Sequence, residues 1–300
     1  MLTGIHFLLS YKCDSECDHC FLYSSPRAKG TFTLDQIKRV FHELAKIETI
    51  EWVYFEGGEP FLFYPLMHEG IRIANNMGIR TGVVTNSYWA TSVEDAELWL
   101  KPLHDLGVSD ISISDDELHF EDKETNPAKH TLNAARKLGM PYGSIGIDKP
   151  TVEAGTDKEQ AKGKPVVGGS VMFRGRAVEK LIEGLPRRPW TEFRECPYED
   201  LKNPERVHLD AYGNIHLCQG VSMGNMWEAP LSKLVKQYSA DSHPICGPLV
   251  NGGPARLAKE YAIQHENQYV DACHMCYLVR LALLDSFPQY LAPRLVYGLE

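Results

Sequence analysis

An α/β fold assembled from parallel βα units is what this 300-residue sequence predicts: an open or incomplete, TIM-like (β/α)6 barrel, with a smaller C-terminal α+β region after it. Three observations point there. Short β-type runs alternate with helix-type segments from the first cysteines to about residue 175. The chemically distinctive residues fall just after the strand-type runs, the end at which parallel folds place their active sites. The βα rhythm then stops at the proline-punctuated segment Gly184–Trp190, and a hairpin pattern follows it. A doubly wound sheet would carry the same alternation, so the pattern alone leaves that architecture open.

The expected strands are Gly4–Ser10, Trp52–Glu56, Arg80–Thr85, Asp110–Ser114, Tyr142–Ile147 and Ser170–Phe173. Between the first two, Leu34, Ile37, Val40, Phe41, Leu44 and Ile47 recur at helical spacing, and Thr33 with Gln36 supplies a capping-box start. The segment Lys149–Lys164 is charged and glycine-containing without a clear apolar face, and reads as either a mobile loop or an exposed helix. Gly184–Trp190 divides the chain into residues 1–185 and 186–300. Beyond it, Val207–Asp210, a turn at Tyr212-Gly213-Asn214, and Ile215–Leu217 read as a β-hairpin carrying Cys218. The apolar run Tyr277–Leu284 is broken by Arg280 and followed by Asp285, Pro288 and Pro293, which fits a docked amphipathic helix rather than an anchor.

Composition narrows the function classes. With 31 Lys and Arg against 40 Asp and Glu, a net charge of −9, the chain has no broad basic field to attract phosphate backbones, so nucleic acid is not expected as a partner. Polar residues interrupt every apolar run short of a bilayer span, and no basic segment precedes an apolar one at the N-terminus; a cytoplasmic protein without membrane contact is the expectation. Eight cysteines in that setting point to metal ligands or reactive thiols rather than disulfides. Their spacing suggests two metal sites, one at Cys13-x3-Cys17-x2-Cys20 and one using Cys273-x2-Cys276 with cysteines from Cys196, Cys218 and Cys246.

Three thiolates on one short loop leave one iron of a cubane cluster without a protein ligand, free to bind a cofactor or substrate. A zinc site completed by His19 is the alternative for the same residues. The company of the triplet favours the cluster. Cys13-Asp-Ser-Glu-Cys17-Asp-His-Cys20, followed one βα unit later by Phe55-Glu-Gly57-Gly58-Glu59-Pro60, resembles the radical S-adenosylmethionine (radical SAM) superfamily. The resemblance implies that Cys13, Cys17 and Cys20 hold a [4Fe-4S] cluster whose fourth iron is chelated by SAM. An electron passed through it cleaves SAM to methionine and a 5′-deoxyadenosyl radical that abstracts a substrate hydrogen. It also implies cofactor contacts for His19, which stands just before the third cysteine, for Gly57, Gly58 and Pro60, and for Glu59 as a negative partner for the SAM ammonium. Asn86, Ser112 and Ser114 fall where relatives contact the methionyl part or ribose. Asp115, Asp116 and His119 form a titratable knot after the fourth strand and are candidate catalytic residues, an exposed acidic loop being the alternative. Arg174-Gly-Arg176 suggests a carboxylate or phosphate site against a default of surface arginines.

A second resemblance lies in Cys196, then Gly213-Asn-Ile-His-Leu-Cys218, then Cys273-His-Met-Cys276: it is similar to the four-cysteine Twitch domain, a trimmed relative of the SPASM domain. This implies an auxiliary [4Fe-4S] cluster held entirely by Cys196, Cys218, Cys273 and Cys276, the alternative being a zinc ribbon. Cys246 is left over, and reads as a buried structural thiol, an alternative ligand or a hydrogen donor. His6, His216 and His274 read as structural.

The leading expectation is a radical SAM oxidoreductase acting on a small polar substrate, with the auxiliary cluster as electron acceptor and an external donor such as flavodoxin or ferredoxin. The alternative is a maturase that modifies a peptide or protein side chain. An iron–sulfur or zinc binding protein without radical chemistry is the reading of a different class.

Overall fold

Alternation along the chain fixes the central strands. In β1 (Gly4–Ser10) Ile5, Phe7 and Leu9 are fully buried on one face, while His6 and Leu8 face the other way. Phe7 stacks on Phe55 of β2 (Trp52–Gly57) at 5.1 Å and on Phe41 of α1 (Leu34–Leu44) at 5.6 Å, so the first face is the helix-covered one. Helix α1 begins as its sequence predicts: Gln36 N–H donates to Thr33 Oγ1 and the Thr33 N–H donates back to Gln36 Oε1.

The structure is a computed structural model describing residues 1–122, 124–155 and 164–299. After β2 come α2 (Tyr64–Asn76), β3 (Arg80–Thr85), α3 (Val93–Asp105), β4 (Asp110–Ser114), α4 (Pro127–Leu138), β5 (Tyr142–Ile145), β6 (Thr151–Ala154), β7 (Pro165–Gly168) and α5 (Ala177–Lys180). Then follow β8 (Arg188–Pro189), β9 (Arg206–Asp210), β10 (Asn214–Cys218), β11 (Val221–Asn225), α6 (Leu231–Gln237), α7 (Cys246–Val250), α8 (Gly253–Glu260), β12 (Gln268–Tyr269) and α9 (Ala272–Leu283). The central sheet runs β11-β10-β9-β1-β2-β3-β4-β5. From β9 to β5 every neighbouring pair is parallel, and only β10 and β11 run against their neighbours. The protein is therefore α/β with a mostly parallel central sheet.

Two expectations need correction. Ser170–Phe173 is not a strand. Val171 and Phe173 pack with Ala177 and Val270 in a small separate cluster, and the chain turns at Gly175, in the left-handed region at φ 61°, so that Arg176 N–H reaches the Cys20 carbonyl. The sixth parallel strand comes instead from β9, which pairs with β1 on the side away from β2. Lys149–Lys164 also differs: β6 pairs antiparallel with β7, so its described part is neither a loop nor a helix, and residues 156–163 of that segment lie outside the described residues. The fifth strand stops at Ile145 because the Ile147 N–H turns to donate to Asp116 Oδ2.

The expected hairpin is present as β9 and β10, but it extends the central sheet rather than standing apart from it. The Asp210 carboxylate, fully buried, ties the join together, accepting from the Tyr11 hydroxyl, Asn214 N–H, Asn214 Nδ2 and His216 Nε2 at 2.9–3.1 Å. Because the Gly220 N–H donates to His216 Nδ1, the proton of that ring sits on Nε2. Among the described residues no helix is long and apolar enough to cross a membrane.

Candidate active site

The loop that leaves β1 carries the first three cysteines over the carboxyl ends of the strands. Its backbone is pinned from three directions. Cys13 N–H donates to Ser25 O, and the Gly58 and Glu59 N–H groups donate to Ser10 O and Lys12 O. Arg176 donates from Nη1 to Cys17 O at 2.7 Å and from Nη2 to Ser24 O at 2.8 Å, adding to its backbone contact with Cys20. A Cβ at Gly58 would overlap the Lys12 carbonyl oxygen, so only glycine lets the β2–α2 turn close on the loop.

Below the loop lies a cavity of about 270 Å³. Leu8, Glu56, Thr85, Ser114 and Ile145, one from each of the strands β1 to β5, all line it, so the sheet curls around it. Cys13, Cys17 and Cys20 face it from above, with Gly57, Gly58 and Asn86 at one side and His19 and His119 at the other. All eight cysteines are free thiols. Burial pushes the Cys17 thiol up to about 12 and the Cys13 thiol higher still. Buried thiols of this kind become thiolates when a bound metal supplies the positive charge.

His19 is neutral, its pKa lowered to about 4 by burial and then by His119, whose ring it meets edge-on at 4.8 Å. Asn86 Nδ2 donates to Asp14 Oδ1 at 2.8 Å and lies 3.6 Å from Cys13 Sγ. Glu59 does not face the cavity. Its wholly buried carboxylate accepts from Phe61 N–H, Thr85 Oγ1 and Asn86 N–H, bracing the β2 turn against the β3 turn. Burial raises its pKa to about 8, against the pull of those donors. Pro60 is buried beside it, and Ser112 is occupied with the Asp110 carboxylate, so neither lines the cavity.

Asp116 and His119 are coupled. Asp116 accepts from the N–H groups of Leu118, His119 and Ile147 and from His119 Nδ1 at 2.9 Å, which leaves Nε2 as the acceptor of the neutral ring. Burial alone would raise the Asp116 carboxyl, but the His119 ring and the backbone donors carry it below its ordinary value. Asp115 points elsewhere, to Lys129 Nζ at 2.6 Å, and lines a different pocket.

The C-terminal cysteines converge as well. Cys196, Cys218 at the end of β10, and Cys273 and Cys276 in the first turns of α9 line one small pocket. Two buried guanidiniums flank them. Arg174 Nη1 lies 3.0 Å from Cys218 Sγ, and Arg280 donates to Gln219 O at 2.8 Å and Tyr297 Oη at 3.3 Å. Among the described residues no carboxylate lies within ion-pair distance of Arg280, and the polar groups around its guanidinium are Tyr297 and the thiols of Cys276, Cys218 and Cys273. Cys246 lies outside both pockets, fully buried, its thiol against the Tyr238 hydroxyl.

Arg174 and Arg176 are both buried, so the surface default does not hold: Arg174 lies beside Cys218 Sγ with the Glu199 carboxylate at 3.9 Å, and the Arg176 guanidinium is committed to backbone carbonyls of the thiol loop. Arg280 went unassigned in the sequence, although an arginine inside an apolar helical run was its signal.

A sequence profile of the Radical SAM superfamily matches residues 7–175. YydG of Bacillus subtilis (strain 168), whose name assigns it to peptide biosynthesis, is 30% identical over 253 residues, 84% of this chain and 72% of YydG. Among solved structures, BtrN in complex with AdoMet and 2-DOIA matches with a TM-score of 0.50 at 14% identity, covering 78% of this chain and 82% of BtrN. That is a likeness of fold.

Proposed function

The chain belongs to the radical SAM superfamily, and from that premise we propose that it is an enzyme that modifies a peptide or protein side chain. The observation that carries the substrate class is the relation to YydG, at 30% identity across most of both chains. The sequence alone favours oxidation of a small polar substrate. The likeness to BtrN, at 14% identity, adds fold and nothing about substrate, so the balance moves to the peptide.

When bound, the [4Fe-4S] cluster and SAM implied by the family supply one-electron chemistry able to remove a hydrogen atom from an unactivated carbon. Cys13, Cys17 and Cys20 are the cluster ligands in this reading, and Gly57, Gly58, Asn86 and Ser114 border the SAM. His119, oriented by Asp116, is the group that accepts or delivers a proton at the cavity wall. Residues 186–300 add an auxiliary [4Fe-4S] cluster on Cys196, Cys218, Cys273 and Cys276. Two buried arginines without sufficient carboxylate partners support that assignment, because a thiolate-ligated cluster is the anion they lack. An external reductant such as flavodoxin or ferredoxin would provide the electron.

The test is anaerobic reconstitution followed by iron quantitation, then addition of dithionite, SAM and a peptide encoded beside the gene, with 5′-deoxyadenosine and peptide mass as readouts. Deoxyadenosine formed together with a mass or stereochemical change in the peptide supports the reading. Turnover of a small polyol or amino sugar with an unchanged peptide overturns the substrate class.

A further inference from the structure

Three ligand-type side chains meet on the cavity side of the sheet, below the thiol loop, and the radical chemistry uses none of them. His6 of β1, Glu56 of β2 and His208 of β9 stand on adjacent parallel strands, with His6 and His208 as direct register partners. Among the described residues this is the one trio of His, Cys, Asp or Glu side chains whose ligand atoms all lie within 4.8 Å of one another. Glu56 offers one oxygen to each ring: His208 Nε2 lies 2.9 Å from Oε1, and His6 Nδ1 lies 3.4 Å from Oε2.

The second contact is informative because it is incomplete. His6 Nδ1 is buried and close to the carboxylate, yet it is not aligned for a hydrogen bond with any group. At 3.4 Å and off the hydrogen-bond axis the contact with Glu56 is a weak one, so His6 Nδ1 keeps coordinating capacity next to a carboxylate and a second imidazole. The rings are also held in place, His6 stacked on Tyr54 at 4.7 Å and edge-on to His208 at 5.0 Å, so the atoms cannot easily turn to find other partners.

We propose that His6, Glu56 and His208 form a binding site for a divalent first-row transition metal, zinc(II) or iron(II), at the floor of the reaction cavity. Two imidazoles and one carboxylate are a donor set of borderline softness that suits both ions and leaves at least one coordination position open. Glu56 also lines the cavity, so the open position faces the space where substrate binds and is available to water or a substrate oxygen. Three neighbouring strands hold the ligands, which gives the site the rigidity that a metal centre needs.

The experiment separates this metal from cluster iron and does not depend on SAM cleavage. Protein reconstituted anaerobically to constant iron is freed of loose metal with a mild chelator, dialysed against micromolar zinc(II), and measured for zinc and iron together. The expected result is about one zinc per chain in the wild type. Glu56→Gln and His208→Asn are expected to lose it with iron content unchanged, iron serving as the control that the chain is folded. His6→Asn is expected to lose it in the same way, since it removes one of only three ligands. Zinc is also expected to raise the melting temperature of the wild type and not that of the variants. The proposal is overturned if the wild type retains no more zinc than Glu56→Gln, or if zinc enters only with the loss of several irons per chain, which would place it on the thiols.

Discussion

The guanidinium of Arg176 donates to the carbonyl oxygen of Cys17 at 2.7 Å, from the far end of the parallel run to the middle of the thiol loop. With its second bond to Ser24 O it clamps both sides of the loop, and hydrogen bonds from a charged donor are each worth about 1.5–3 kcal/mol. Arg176→Ala is expected to destabilise the protein by about 3 kcal/mol and to lower iron loading at Cys13, Cys17 and Cys20. Lysine keeps the charge but not the fork, so Arg176→Lys should recover only part of the loss. Iron per chain and a urea melt check both.

Gly58→Ala tests the other side of the loop. The new methyl group would overlap the Lys12 carbonyl, a backbone atom that cannot swing away, and the expected cost is about 2–3 kcal/mol with reduced iron content. Gly143→Ala, where nothing lies within 4 Å, should change stability by no more than about 0.5 kcal/mol.

If His119 handles a proton, His119→Gln should lower peptide turnover by about 100-fold or more while leaving binding of SAM and both sets of iron in place. Asp116→Asn should fall between that variant and the wild type, since His119 keeps its position but loses its charged partner. Steady-state turnover beside iron and SAM-binding measurements separates these effects from collapse of the site.

Glu43 gives a pH signature. Burial works to raise its carboxyl, but Lys46 and the Ser232 hydroxyl and N–H overcome that, so its folded pKa lies below 4.5. A depressed carboxylate contributes stability above its unfolded value, and that contribution is lost as the pH falls through the folded value. The wild type should exceed Glu43→Gln by about 1–2 kcal/mol near neutrality, with the gap closing below the ordinary carboxylate value of 4.5. Urea midpoints of both proteins across that range are the measurement.

For the second thiol group, Cys276→Ala should take the reconstituted chain from about eight irons to about four. Arg174→Gln keeps the irons but removes a positive charge beside Cys218, and should shift the auxiliary reduction potential in the negative direction, read by a redox titration. An unchanged potential would mean that Arg174 is neutralised by Glu199 instead.

The parts of the molecule that local pattern controls were legible in the sequence. Short β-type runs mark Gly4–Ser10, Arg80–Thr85 and Asp110–Ser114 to the residue, and Thr33 with Gln36 marks the start of α1. Ser170–Phe173 is a β-type apolar run by the same local criterion, yet it is not a strand, because Gly175 and Arg176 turn the chain toward Cys20, far away in sequence. Motif spacing sorts seven of the cysteines into two groups, and the members of each group line one pocket, with Cys246 outside both. It could not say that Glu59 turns inward to Thr85 and Asn86, or that His6 and His208 are register partners, since both depend on which strands become neighbours.

The placement of β9 bears on how the protein is made. Strand β1 is made before β9, so its edge toward β9 gains that neighbour only after Arg206–Asp210 has left the ribosome, when the Tyr11 hydroxyl can also meet the Asp210 carboxylate. The thiol loop hangs from the end of that half-paired strand. A nascent chain that stops short of residue 210 therefore presents Cys13, Cys17 and Cys20 on a strand that still lacks its β9 neighbour.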